Sequence, residues 1–88
     1  MTDEDRAKLR QLVEEGNEEA ADRLARLAGQ DGDVATLNYL IDAGNEMAGD
    51  LLAQHAAERG DTATLSRLAD EGSELAQTLL TQAIAATS

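Results

Sequence analysis

Apolar positions along this chain recur at helical rather than strand spacing, and their pattern returns every 28 residues. Cutting ahead of Asp5, Asp33 and Asp61 leaves three units, 5–32, 33–60 and 61–88, which align without a gap. Leu9, Leu37 and Leu65 coincide, as do Leu12, Leu40 and Leu68, then Ala20, Ala48 and Ala76, then Leu24, Leu52 and Leu80. Polar punctuation falls at fixed offsets too. Gly16, Gly44 and Gly72 stand before Asn17, Asn45 and Ser73, which precede Glu18, Glu46 and Glu74.

The middle unit shows what one repeat encodes. Asp33 is suited to cap a first helix whose apolar residues Val34, Leu37, Leu40 and Ile41 share a face, and Gly44 supplies the left-handed residue that ends it. Asn45 then caps a second helix, with Ala48, Leu52 and Ala56 on one face, and Gly60 ends that one. The caps predict a first helix of about ten residues and a second of about thirteen. Helices this short do not hold in water unaided, so the units must stack.

The flanks of the second helices indicate how. Turning about 100° per residue, one flank carries Glu19 and Arg23, then Met47 and Leu51, then Leu75 and Leu79; the other carries Ala21 and Ala25, then Gly49 and Ala53, then Gln77 and Thr81. The first flank is polar in unit one alone and the second in unit three alone. That is expected if the first packs on the preceding unit and the second on the following one, because terminal repeats turn polar faces outward. The predicted fold is therefore all-α: an α-solenoid of three helix-turn-helix repeats, six short helices, forming one domain over 1–88 with residues 1–4 as an N-terminal cap. Six of the seven glycines are expected at helix ends or turns, and Gly49 at a close helix contact.

Composition narrows the function. The apolar residues are mostly Ala and Leu, Tyr39 is the one aromatic, and Pro and Cys are absent, which excludes disulfides, thiolate metal sites and cysteine nucleophiles. A net charge of −11 opposes binding to nucleic acid or an anionic membrane. No apolar run is long enough to span a bilayer, and the acidic start is unlike a signal peptide, so a cytoplasmic protein is expected. Five of the seven bases, Arg6, Lys8, Arg10, Arg23 and Arg26, lie in unit one.

The Gly-Asn-Glu-x-Ala-x-x-x-Leu stretches at Gly16–Leu24 and Gly44–Leu52, with the Gly-Ser-Glu version at Gly72–Leu80, resemble the inter-helix turn and second-helix start of Sel1-like repeats, a branch of the tetratricopeptide-like helical hairpins. The likeness covers residues 5–88, in a form shortened from the family's mid-thirties period and without its aromatic signature. It implies a right-handed superhelix, a concave surface lined by first helices and an adaptor or scaffold role, with no enzyme activity and no cofactor.

On that expectation, first-helix side chains facing away from the Leu37, Leu40 and Ile41 seam are candidate partner contacts: Gln11, Tyr39 and Arg67 at one equivalent position, with Arg10, Asn38 and Ser66 beside them. The position changes chemistry in each unit while the frame stays constant, which suits recognition, although solvated surface residues would look the same. His55 falls on the core side of its helix and is expected to pack there, or to meet Glu58 or Asp50 in a pH-sensitive contact. A lone His without Cys argues against a metal centre, and Asp31-Gly32-Asp33 lacks the spacing of a calcium loop. Glu14-Glu15, Glu18-Glu19 and Asp70-Glu71 could attract a basic partner or simply be solvated. No nucleophile elbow, buried carboxylate pair or phosphate-binding loop is present. The expected function is a non-enzymatic, monomeric interaction module, without cofactor or metal, that binds a basic or amphipathic peptide or protein segment on its first-helix face through Gln11, Asn38, Tyr39 and Arg67. The alternative is a stand-alone or designed mini-repeat scaffold with no natural ligand.

Overall fold

Six helices are found in the computed structural model, which describes residues 3–87: α1 (Asp3–Glu14), α2 (Glu18–Asp31), α3 (Val34–Asp42), α4 (Glu46–Arg59), α5 (Thr62–Asp70) and α6 (Glu74–Thr87). No strand occurs among the described residues, so the all-α class holds. Met1 and Thr2 of the expected N-terminal cap, and Ser88 of unit three, lie outside them.

Local chemistry sets the helix boundaries. Asp33 and Asp61 each accept the N–H and hydroxyl of the Thr three residues on, through Thr36 N (3.1 Å) and Oγ1 (2.6 Å), and Thr64 N (3.1 Å) and Oγ1 (2.7 Å). In unit one the residue matching Thr36 and Thr64 is Lys8, which has no hydroxyl to reinforce such a cap at Asp5. The helix instead runs through that boundary from Asp3, taking in Asp3 and Glu4, which were expected in a separate cap segment. Second helices start on the side-chain oxygens of Asn17, Asn45 and Ser73, which accept from Ala20, Ala48 and Ala76 N–H at 3.0, 2.8 and 3.1 Å. Between the two helices of each unit, Gly16, Gly44 and Gly72 sit at φ 90, 92 and 104, where a β-carbon would be strained.

Packing follows chain order. Each second helix lies against its own first helix, α2 and α4 also against the first helix of the following unit, and α2, α4 and α6 stack in sequence; the backbones of α1, α3 and α5 do not approach one another. The molecule measures 46 × 23 × 15 Å with a radius of gyration of 13.6 Å, above the about 12 Å of a globular chain this long. The core is a seam of Leu24, Leu37, Leu40, Leu52 and Leu65, all fully buried, filled in by Ala25, Ala28, Ala48, Ala53, Ala56 and Ala76. Burying each such Leu stabilises the fold by about 1.5–3 kcal/mol.

The flanks behave as their composition indicates. Met47, Leu51, Leu75 and Leu79 pack against the core, Ala21, Ala25 and Ala53 are buried, and Glu19, Arg23, Gln77 and Thr81 are exposed at the two ends. Residues of one repeat position diverge where a neighbouring unit is missing: Leu40 and Leu68 are 0% and 2% exposed, but Leu12 is 38% exposed. At the other end Ile84 is 58% exposed, where Ala28 and Ala56 are covered. The glycine assignment needs correction. A β-carbon at Gly49 would meet nothing within 4 Å, whereas one at Gly29 would lie 3.4 Å from both methyl carbons of Leu51. Gly29 marks the close approach between α2 and α4, because Leu51 carries a long side chain toward unit one while no side chain reaches Gly49.

Candidate functional site

Of the first-helix residues singled out from the sequence, the fold brings Arg10 to Tyr39 and Asn38 to Arg67, while Gln11 and Ser66 join neither pair. Because α1, α3 and α5 stand apart, long side chains bridge the gaps between them. The Arg10 guanidinium lies over the Tyr39 ring, 4.6 Å from its centroid, a contact worth about 0.5–1 kcal/mol at an exposed position. Arg67 Nη2 donates to Asn38 Oδ1 at 2.9 Å, and its Nη1 pairs with Glu71 Oε2 at 3.1 Å. One row therefore crosses all three units: Arg10 and Tyr39 join units one and two, Asn38 and Arg67 join units two and three. Tyr39 and Asn38 are half-buried; Gln11, Arg10, Ser66 and Arg67 are exposed. Gln11 makes no side-chain hydrogen bond among the described residues.

Other contacts between helices follow no signal in the repeat alignment. Asn45 uses both ends of its amide: Oδ1 caps α4, and Nδ2 donates to Asp22 Oδ1 at 2.8 Å, tying the start of α4 to α2. Arg6, which stands where the other units have Val34 and Thr62, reaches from α1 to the turn after α2 and pairs with Asp31 and with Asp33 Oδ2, the latter at 3.0 Å. Asp33 is held below the ordinary carboxylate value chiefly by the hydrogen bonds of the Thr36 hydroxyl and N–H, with Arg6 adding to the effect, against the opposing cost of burial. Asp61 is lowered in the same way by Thr64. Both shifts arise from helix capping and mark no reactive carboxyl.

Two clefts lie away from that row, along the edge formed by the inter-helix turns. The first, about 700 Å³, is lined by apolar Val13, Ala21 and Met47 and by acidic Glu18, Asp22, Glu46 and Asp50. The second, about 690 Å³, is lined by apolar Ile41, Leu68 and Leu75 and by acidic Glu46, Asp50, Glu71 and Glu74. They are consecutive and share Glu46 and Asp50. The Gly-Asn-Glu repeat pointed to this turn, but only stacking makes a recess of it, since each cleft needs two units.

His55 is half-buried as its helical position predicts, beside the turn at Gly32, and its Nε2 is buried without a hydrogen-bond partner. The expected contact to Glu58 or Asp50 is not made through that nitrogen. Among the described residues no three His, Cys, Asp or Glu side chains are grouped to hold a metal ion, and no helix is long and apolar enough to cross a membrane. No protein-family model, curated protein or solved structure matches the chain.

Proposed function

We propose that this protein is a non-enzymatic interaction module, a tetratricopeptide-like helical repeat that binds a peptide or protein segment along its first-helix face, with Tyr39 and Asn38 at the centre and Gln11 and Arg67 to either side. The observation that supports it most is the row through Arg10, Tyr39, Asn38 and Arg67. It joins all three units while leaving an aromatic and several hydrogen-bonding groups partly exposed. The cation–π and hydrogen-bond contacts hold these side chains in place, so binding would lose less rotamer freedom than at a loose surface. Tyr adds contact area at low entropy cost.

A second reading, a scaffold without a ligand, draws on the same contacts: the bridges would then serve only to fasten α1, α3 and α5 to one another. Selection of peptides from a random display library on the immobilised protein separates the two. The first reading expects selected peptides whose binding falls about tenfold or more on combined Tyr39→Ala and Asn38→Ala substitution, with the helical circular dichroism unchanged. Failure to select any binder, or binding indifferent to the substitution, would overturn it.

A further inference from the structure

We propose that the two turn-edge clefts form one docking groove for an extended, Lys/Arg-bearing segment of a protein partner, its cationic side chains seated at successive unit junctions. This goes beyond the first-helix face and does not depend on it, since the two surfaces share only Glu71. The groove is lined by acidic residues and by half-buried Met47, Ile41 and Leu75, with Val13, Ala21 and Leu68 buried beneath. No Lys or Arg lines either cleft. Among the described residues, Glu18, Asp22, Glu46, Asp50 and Glu74 form no ion pair; of the acids lining the groove, only Glu71 does, with Arg67.

Glu18, Glu46 and Glu74 have a structural reason to be there, in the first turns of α2, α4 and α6, where negative charge favours the helix dipole. Asp22 and Asp50 lie one turn further on and have none of that kind. Asp22 accepts from Asn45 of the next unit. Asp50 faces a unit that has the shorter Ser73 at the Asn position, is exposed, and borders both clefts. Excess negative charge thus lines a recess that also presents Met47, Ile41 and Leu75, the complement of a Lys or Arg that lays its methylene stem on apolar surface and keeps its charge among the carboxylates. Met47, flexible and polarisable, suits such a stem.

The repeat also specifies spacing. Helices packed side by side are separated by about 8–10 Å, and a segment in the extended polyproline-II conformation has three residues per turn and rises about 3.1 Å per residue, so cations three residues apart on a partner share one side, about 9 Å from each other, and reach successive junctions.

The test is titration of the whole protein, by calorimetry at low and at physiological salt, with a synthetic peptide carrying Lys at every third position and Ala or Leu between. The control peptide has the same composition with its lysines grouped. The proposal expects the spaced peptide to bind more tightly than the grouped one, binding to weaken as salt rises, and combined Glu46→Gln and Asp50→Asn substitution to lower affinity about tenfold. Combined Asp42→Asn and Glu58→Gln substitution removes equal charge from exposed sites outside the groove and should leave affinity within about twofold. Equal losses in the two variants, or equal binding of the two peptides, would show attraction to overall charge alone and overturn the groove. Because Tyr39 and Asn38 are untouched, this outcome is independent of the first-helix reading.

Discussion

Replacing Gly49 with Ala tests the stacking of the second helices directly. Gly49 lies in the interior of α4 without positive φ, and a β-carbon there meets no neighbouring atom within 4 Å. The substitution therefore adds no clash and removes the entropic cost of glycine in a helix, a gain of about 0.5–1 kcal/mol. For a domain of this size that corresponds to a rise in Tm of about 2–8 °C. Two further variants calibrate it. Gly29→Ala receives the same helical benefit but places its methyl 3.4 Å from Leu51, so part of the gain is lost to crowding. Gly44→Ala, at φ 92, must adopt left-handed backbone and costs about 1–2 kcal/mol. Thermal and urea unfolding followed by circular dichroism should order the variants Gly49→Ala, Gly29→Ala, Gly44→Ala from most to least stable. A Gly49→Ala protein less stable than the parent would mean that α6 approaches α4 at that point, and the packing argued above would be wrong.

Other expectations follow from the same contacts. Leu52→Ala, at a fully buried site covered on both sides, should cost about 2–5 kcal/mol in urea unfolding, and Leu80→Ala, at the equivalent half-buried site with no unit beyond it, about half as much. His55→Leu, which places the residue unit one already has at Leu27 and removes the unpartnered Nε2, should stabilise the protein by about 1 kcal/mol in the same assay. Asp33→Ala should cost about 1 kcal/mol at neutral pH. Because the folded Asp33 titrates below its ordinary value of 3.8, the folded state keeps this carboxyl ionised more readily than the unfolded one does. The contribution is therefore complete above that value and disappears as pH falls through the lowered one, so the difference between parent and variant should narrow in urea melts made below pH 3.8. A difference that widened on acidification would contradict the capping geometry.

Each junction between units combines a contact that the alignment predicts with one that it does not. The apolar flank of Met47 and Leu51 belongs to the first kind. The Asn45 to Asp22 hydrogen bond belongs to the second, and where Ser73 replaces the Asn no such amide bond is possible. The two junctions are thus not chemically identical, although both carry an apolar flank, Met47 and Leu51 at one and Leu75 and Leu79 at the other.

What the amino-acid order determined alone was everything governed by separation along the chain. Three hairpins, the Asp, Asn and Ser caps, the glycine turns and the inward seam of Leu37, Leu40 and Ile41 all depend on offsets of a few residues along the chain, which a sequence states outright. It also assigned each second-helix flank to the preceding or following unit, because rotation about a helix axis follows from residue number. Tertiary structure alone decided the height at which one unit meets the next. Gly49 was on the correct flank, yet nothing stands at its level, while Leu51 reaches Gly29. The pairing of Arg10 with Tyr39 and of Asn38 with Arg67, the reach of Arg6 to Asp31 and Asp33, and the two acid-lined clefts all depend on that axial offset. Periodicity fixes an angle around a helix, but the slide of one helix along another is set by how unequal side chains interlock, and it exists only once the units have packed.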